Sequence, residues 1–390
     1  MKEGLNISFE NTEIAFNGKS LSDLKKAKTL FKSFDYPILL KWGPGLAQIA
    51  VRLGFKFLIK KTIFKQFCGG ENINDCELAI SELANRNVGT ILDYSVEGED
   101  NESVFNHTCT EIINTILKAK NNPSIPFSVF KVTGIVSAKI LEKVSSSLEL
   151  NKSEQTEWNS GIERFYKICK TAHDEKVRLF VDAEESWIQK AIDDLVEDAM
   201  RSYNQQQCII YNTLQLYRHD RLNYLKNQLS SGSHYLGFKL VRGAYMEKER
   251  ARAAEYNYSS PIQPNKEATD QDYNTAVTLC IKNIERVSIC IGTHNELSSI
   301  LGAQQMKELN LDPNDNRVFF SQLLGMSDHI SFNLSNAGYK VAKYVPYGPV
   351  LSVIPYLTRR AQENSGMAGQ MGRELSLINQ EIQRRINIKN

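Results

Sequence analysis

Two adjacent arginines stand in the run PYLTRRAQENSG, residues 355–366. Read as a helix that starts at Pro355 and stops before Gly366, this run puts Tyr356, Arg359, Arg360 and Glu363 on one face, at i, i+3, i+4 and i+7. Ile354, Leu357 and Ala361 form the opposite, apolar face. Paired guanidinium groups offer coplanar N–H donors that suit a carboxylate or phosphate, and each charge-assisted bond contributes roughly 1.5–3 kcal/mol. The plainer reading is a solvated charged face. A second cationic set lies in YLGFKLVRGAYMEKER, residues 235–250, where Lys239 and Arg242 interrupt an apolar run just before the backbone amides of Gly243 and Ala244. Glycine lets backbone approach a ligand closely, so these groups form a candidate clamp for a polyanion. No G-x-G-x-x-G follows a strand and no G-x-x-x-x-G-K-[ST] occurs, so a nucleotide-like cofactor needs some such other clamp.

Lys131 and Asp182 end two apolar runs and could meet. A desolvated lysine is a good amine nucleophile, which makes a Schiff-base aldolase one reading. Acids at Asp182, Glu184 and Glu185 keep an ammonium charged and favour simple pairing. Of six histidines only His294, between Thr293 and Asn295, is singled out. None has H-E-x-x-H or H-x-x-E-H spacing, so no metal site is expected.

These residues need elements to hold them. Eight β-branched or aromatic runs alternate with amphipathic stretches: TILDY (90–94), FSVFKV (127–132), VRLFVDA (177–183), CIIYNTLQ (208–215), YLGFKLVRGA (235–244), VSICIGTHN (287–295), RVFFSQLL (317–324) and KVAKYVP (340–346). Helical patterns between them include residues 187–200, 273–286 and 296–309. Eight strand–helix units predict an α/β fold, a (β/α)8 TIM-like barrel over 90–366. Asp93, Lys131, Asp182, Gln215, Arg242, His294, Gln322 and Tyr344 gather at the C-terminal ends of the runs, the mouth of such a barrel, whereas buried parallel strands normally read as unbroken apolar runs. Residues 1–89 read as an N-terminal helical arm and 367–390 as a C-terminal helix. Within the arm, SDLKKAKTLFKSF predicts a helix capped by Ser22 with Leu24, Ala27, Leu30 and Phe31 on one face. The apolar, cationic segment 36–67 suits either an arm packed on the barrel with its lysines in water or contact with an anionic membrane surface.

A net charge of +2 without a basic stripe in the C-terminal two-thirds argues against nucleic acid. Seven cysteines without C-x-x-C indicate neither a disulfide framework nor a zinc ribbon, and a reducing compartment fits them. The first residues lack the pattern of a signal or transit peptide. No uncharged apolar run nears the ~18 residues that span a bilayer. The expected location is cytoplasmic, with peripheral attachment to the inner face of the membrane as an addition.

Taken together, FKVTG (130–134), FVDAEE (180–185), YNTLQLY (211–217), KLVRGAYMEKERARAAE (239–255), GTHNE (292–296), QLLGMSDHISF (322–332) and KYVPYGPVLSVIPYLTRRAQENS (343–365) resemble FAD-dependent proline dehydrogenase, also called proline oxidase, in its single-function form. The resemblance covers essentially all of 90–366. It implies a distorted (β/α)8 barrel that holds FAD without a Rossmann fold. It also implies oxidation of L-proline to Δ1-pyrroline-5-carboxylate, the first step of proline catabolism, with electrons passed to a quinone and the product taken by a separate pyrroline-5-carboxylate dehydrogenase. By resemblance, Arg359, Arg360 and Lys131 contact the substrate carboxylate and Tyr245, Tyr344 and Tyr356 wall the pocket. Asp182 hydrogen-bonds a tyrosine. Ala183 and Gln215 lie near the isoalloxazine; Lys239, Val241, Arg242, Gly243 and Ala244 cover the ribityl and pyrophosphate; Thr293 and His294 flank the flavin, and Glu363 touches its surroundings. Many bacterial members carry arginine in place of Lys239. Hydroxyproline dehydrogenases of the superfamily tend to have serine where Tyr344 stands, so tyrosine favours proline.

Overall fold

The computed structural model describes residues 5–33, 56–96, 101–366 and 368–389, with side chains undescribed at 58, 360–366, 368–371 and 389. Eight parallel strands close into a barrel in sequence order: β1 (Val88–Tyr94), β2 (Phe127–Lys131), β3 (Arg178–Asp182), β4 (Ile210–Gln215), β5 (Leu236–Val241), β6 (Val287–Gly292), β7 (Val318–Leu323) and β8 (Val341–Tyr347). Each expected run contains or overlaps its strand. The chain divides into two compact units, Glu99–Ser321, and Met1–Gly98 with Gln322–Asn390.

In the first unit the strand interior is built by alternation. Successive side chains point to opposite faces, so Phe127, Phe180, Tyr211 and Phe319, from β2, β3, β4 and β7, converge on one packed layer. Phe127 stacks on Phe180 with centroids 4.3 Å apart, and the edges of Tyr211 and Phe319 meet it at 5.5 and 4.9 Å. Such pairs add about 0.5–1.5 kcal/mol beyond the area they bury. Gly237 makes room for this layer, because a Cβ there would sit 2.6 Å from the Tyr211 ring. Four of the helices outside start where asparagines cap them. Asn101, Asn151, Asn265 and Asn295 accept backbone N–H bonds at the heads of α4 (Glu102–Ala119), α6 (Lys152–Asp174), α10 (Lys266–Lys282) and α11 (Glu296–Glu308). Also in this unit are α5 (Ala138–Ser145), α7 (Ser186–Tyr203), α8 (Arg221–Ser230) and α9 (Met246–Glu255). The helix expected over 273–286 begins seven residues earlier, because Asn265 supplies a cap that the apolar periodicity does not reveal.

In the second unit β1 and β8 pair in register from Val88 opposite Val341 to Tyr94 opposite Tyr347. The unit also holds α1 (Thr12–Phe16), α2 (Leu21–Ser33), α3 (Glu77–Ala84), α12 (Asp328–Asn336), α13 (Val350–Gly366) and α14 (Ala368–Lys389). An apolar cluster joins Phe16, Leu24, Ala27, Phe31, Phe64 and Phe67 from the arm to Val353, Leu357, Leu377 and Ile378. The cap of α2 is Ser20, not Ser22: its Oγ accepts the Asp23 N–H at 3.1 Å and donates to the Asp23 carboxylate at 2.6 Å. The helix carrying the paired arginines starts earlier than expected, at Val350, with Pro355 inside it. Burial of Val350 and Val353, 1% and 0% exposed, outweighs the one backbone bond that proline removes. Pro349 is the proline at the start, its carbonyl accepting from the amides of Ser352 and Val353. The seven cysteines are buried, and none forms a disulfide.

Candidate active site

The C-terminal ends of β3, β4 and β5 assemble a polar layer above the aromatic one. Lys239 lies on the same side of β5 as Gly237 and Val241, and it is 6% exposed. Its ammonium bonds the Asp182 carboxylate at the end of β3 and lies 5.2 Å from the centre of the Phe180 ring. Thr213, opposite Lys239 in register, directs its hydroxyl at Asp182 from 3.5 Å. Lys239 and Arg242, both members of the candidate clamp, point in different directions. Residues three apart on a strand point to opposite faces, so Lys239 turns inward to a carboxylate while Arg242, beyond the strand, turns elsewhere.

Arg242 is half-buried just past β5. Its Nε donates to Asp270 at 2.7 Å, Nη1 to the Thr293 hydroxyl at 2.7 Å and Nη2 to the Ser298 hydroxyl at 2.9 Å. Thr293 follows β6 directly, and His294, half-buried, comes next. After Arg242 the backbone of Gly243 takes φ +136°, and a Cβ there would lie 2.5 Å from the Tyr217 ring, so only glycine fits. Gly243 and Ala244 are exposed, and Tyr245 stands half-buried at the head of α9. Gln215, buried at the end of β4, donates to the Glu184 carbonyl at 2.7 Å and accepts the Ala244 N–H at 3.2 Å. One amide thus fixes the exits of β3, β4 and β5 together, and Ala183 sits buried beside it.

Lys131 ends β2 opposite Asp182 in register, and its charge acts on Glu184. In the sequence Glu184 stands out only as one of three acids that could face Lys131. It is 3% exposed and accepts both the amide of Thr133, at 3.0 Å, and the Thr133 hydroxyl. Burial pushes its carboxyl up to about 7, against the opposing pull of Lys131 and the Thr133 bonds. Near neutrality this group therefore exchanges a proton, as a carboxylate in water does not. α9 is held nearby by Glu249, fully buried, which accepts the Ser186 amide and hydroxyl, both at 2.6 Å, at the start of α7.

In the other unit, Tyr344 lies mid-strand in β8, which runs on to Tyr347; it is 8% exposed and faces away from the side on which Lys343 reaches α12. Tyr356 is 5% exposed within the apolar cluster, and Arg359 follows it half-buried on α13. The side chains of Arg360 and Glu363 lie outside the described residues, as do residues 34–55 of the cationic arm segment. Of its described lysines, Lys56 and Lys60 pair with Glu71 at 2.5 and 2.9 Å. Among the described residues no helix is long and apolar enough to cross a membrane.

The sequence profile of the family described as proline dehydrogenase matches residues 76–373. The chain belongs to the proline dehydrogenase family. Within it, proline dehydrogenase 1, mitochondrial, of Dictyostelium discoideum is 36% identical over 377 residues, which cover 85% of this chain and 66% of that protein. Proline dehydrogenase 1, mitochondrial, of Drosophila melanogaster is 39% identical over 251 residues, 61% of this chain and 37% of that one. The chain thus spans no more than about two thirds of the length of these relatives. Its backbone also resembles proline utilization A from Bdellovibrio bacteriovorus, with TM-score 0.72 and 16% identity over 92% of this chain and 41% of that one. At that identity the likeness concerns the barrel fold.

Proposed function

We propose that this member of the proline dehydrogenase family oxidises L-proline to Δ1-pyrroline-5-carboxylate with FAD, passes the electrons to a quinone and releases the product to a separate dehydrogenase. The observation that carries the reading is the profile match across the whole barrel, residues 76–373. The chemistry of the donor set supports the cofactor. Arg242, the exposed close-approach backbone of Gly243, and the polar ends of β4 and β6 follow one another, which suits a polyanionic dinucleotide; Gln215 holds the next amide, that of Ala244. Arg242, Gly243, Ala244, Val241, Gln215, Ala183, Thr293 and His294 would hold it, with Glu363 near its surroundings; Lys239 contributes through its bond to Asp182.

The two-electron chemistry, acceptance of hydride from the ring carbon beside the nitrogen, is what FAD supplies when bound. The protein's share is orientation. Arg359 and Arg360, with Lys131, would bind the substrate carboxylate, fixing one end of a small ring so that the other end is presented to the acceptor. Tyr245, Tyr344 and Tyr356 would wall the pocket and exclude water. Gln215 and the Asp182–Lys239 pair tie the ends of β3, β4 and β5 together. The secondary amine enters neutral or gives its proton to water. Residues 90–366 form the catalytic barrel in this reading, and any membrane contact is peripheral.

The test is an absorbance spectrum of the purified protein before and after anaerobic addition of L-proline. The expected result is a flavin band that bleaches. A colourless protein that borohydride traps onto an aldehyde would instead establish the Schiff-base aldolase. A kcat/KM higher for trans-4-hydroxy-L-proline than for L-proline would overturn the substrate.

A further inference from the structure

The geometry points to one face of α10, carrying Asp270, Tyr273 and Asn274, as the seat that positions Arg242 for the cofactor, with Asp270 as its principal positioning residue. This rests on the flavin reading above. The three residues fall at i, i+3 and i+4, so they line one face of the helix. Asp270 accepts the Nε–H of Arg242 at 2.7 Å. The Tyr273 ring supports the guanidinium, whose central carbon lies 4.4 Å from the ring centroid. Tyr273 is itself fixed, fully buried, with its hydroxyl donating to the carbonyls of Leu240 and Gly292 at 3.3 and 3.2 Å, one on β5 and one on β6. Asn274 accepts from the Ser298 hydroxyl at 2.7 Å, so that Ser298 presents its oxygen to Nη2 of Arg242. Lys266, one turn before Asp270, pairs with the same carboxylate and completes a Lys–Asp–Arg chain of alternating charge.

Arginine has five N–H groups. Three of them are committed here to Asp270, Thr293 and Ser298. The guanidinium is therefore locked in plane and direction, and the remaining N–H on each terminal nitrogen is presented in a fixed orientation. A flexible arginine would lose side-chain freedom on binding an anion; this one has lost it already, which is how preorganisation strengthens binding. Asp270 also offsets part of the positive charge of Arg242, so its removal alters both geometry and electrostatics.

The test uses the full chain stripped of flavin and titrated with FAD, following loss of free-flavin fluorescence and the visible circular dichroism of the bound dye. Asp270→Ala is expected to raise the FAD Kd by about tenfold or more, the value of a lost charge-assisted bond, and to change the dichroism of what binds. Placed on an Arg242→Met background, Asp270→Ala is expected to add no further change, because it acts through that arginine. Asp270→Asn, which keeps the shape, covers the case in which the alanine variant does not fold, with a smaller shift in the same direction. An unchanged Kd and dichroism in Asp270→Asn, or an equal rise in Kd with and without Arg242, overturns the inference. If the unaltered chain takes up no FAD, the flavin reading itself falls; if it takes up FAD and bleaches with proline while the Asp270 variants match it, only the role of Asp270 falls.

Discussion

Each unit of the molecule buries a lysine against an aspartate, and the two pairs are built differently. In the unit that contains β8, Lys343 is fully buried and reaches Asp328 at 3.0 Å, with further donation to the carbonyls of Leu323 and Met326. The second oxygen of Asp328 takes Lys19 at 2.7 Å. Burial pushes the Asp328 carboxyl up, but the two lysines outweigh it and hold it below its usual range. Next to it the Ser327 amide donates to Glu374 at 2.9 Å. Arm, strand, helix and C-terminal helix are thus tied at one point, and the ions are saturated by protein groups. That is a structural clasp. In the barrel unit, Lys239 and Asp182 join two strands at the layer directly beneath the exits that carry Gln215, Glu184 and Arg242. The lesson is that burial of an ion pair does not separate structure from function; what the neighbouring strand ends offer does.

The largest expected effect breaks the clasp. Asp328→Ala leaves Lys343 buried without its carboxylate, a change that costs about 3–5 kcal/mol. Denaturant unfolding should show that loss, while the fraction that remains folded keeps its flavin content. A loss under about 1 kcal/mol would mean that water already reaches the site.

The next concerns a buried carboxyl at the mouth. Glu184 is held at about 7 in the fold against an ordinary 4.5. Between those values the native state binds more protons than the unfolded one, so stability falls as pH rises through the window and levels off above about 7. The difference, 7 less 4.5, corresponds to about 3 kcal/mol at most. Glu184→Gln should flatten this slope. A slope unchanged by the substitution would assign it to another group.

Much of this was legible beforehand. All eight strands stood out because parallel barrel strands are buried on both faces and read as apolar runs. Polar residues gather toward the ends of those runs, but Thr213, Lys239, Lys343 and Tyr344 stand inside their strands. Three things were not legible. The direction of Lys239 depends on its parity with Gly237 along β5, which a reading of charge spacing passes over. The role of Asp270 depends on a helix 28 residues downstream of Arg242 in sequence. The start of α13 depends on burial of Val350 and Val353, which overrides the usual meaning of Pro355.

A smaller effect tests the substrate end. Arg359→Ala should raise the KM for L-proline by about tenfold or more, one charge-assisted bond, with flavin content unchanged. An unchanged KM would remove Arg359 from the carboxylate site. The clasp variant Asp328→Ala should leave KM untouched, which separates the two regions by kinetics as well as by stability.

The smallest change in stability gives the sharpest contrast. Replacing a buried ion pair by apolar residues of similar volume is often neutral, because the desolvation cost disappears together with the attraction. Asp182→Leu combined with Lys239→Met should therefore alter unfolding free energy by only about 1 kcal/mol. If the pair serves the site, the same double variant should lose flavin retention or proline oxidation even though it stays folded. Single variants, each leaving one ion unpaired, should be less stable than the double. Should the double variant retain both flavin and turnover, Lys239 and Asp182 are a clasp like Lys343 and Asp328, and the distinction between the two pairs disappears.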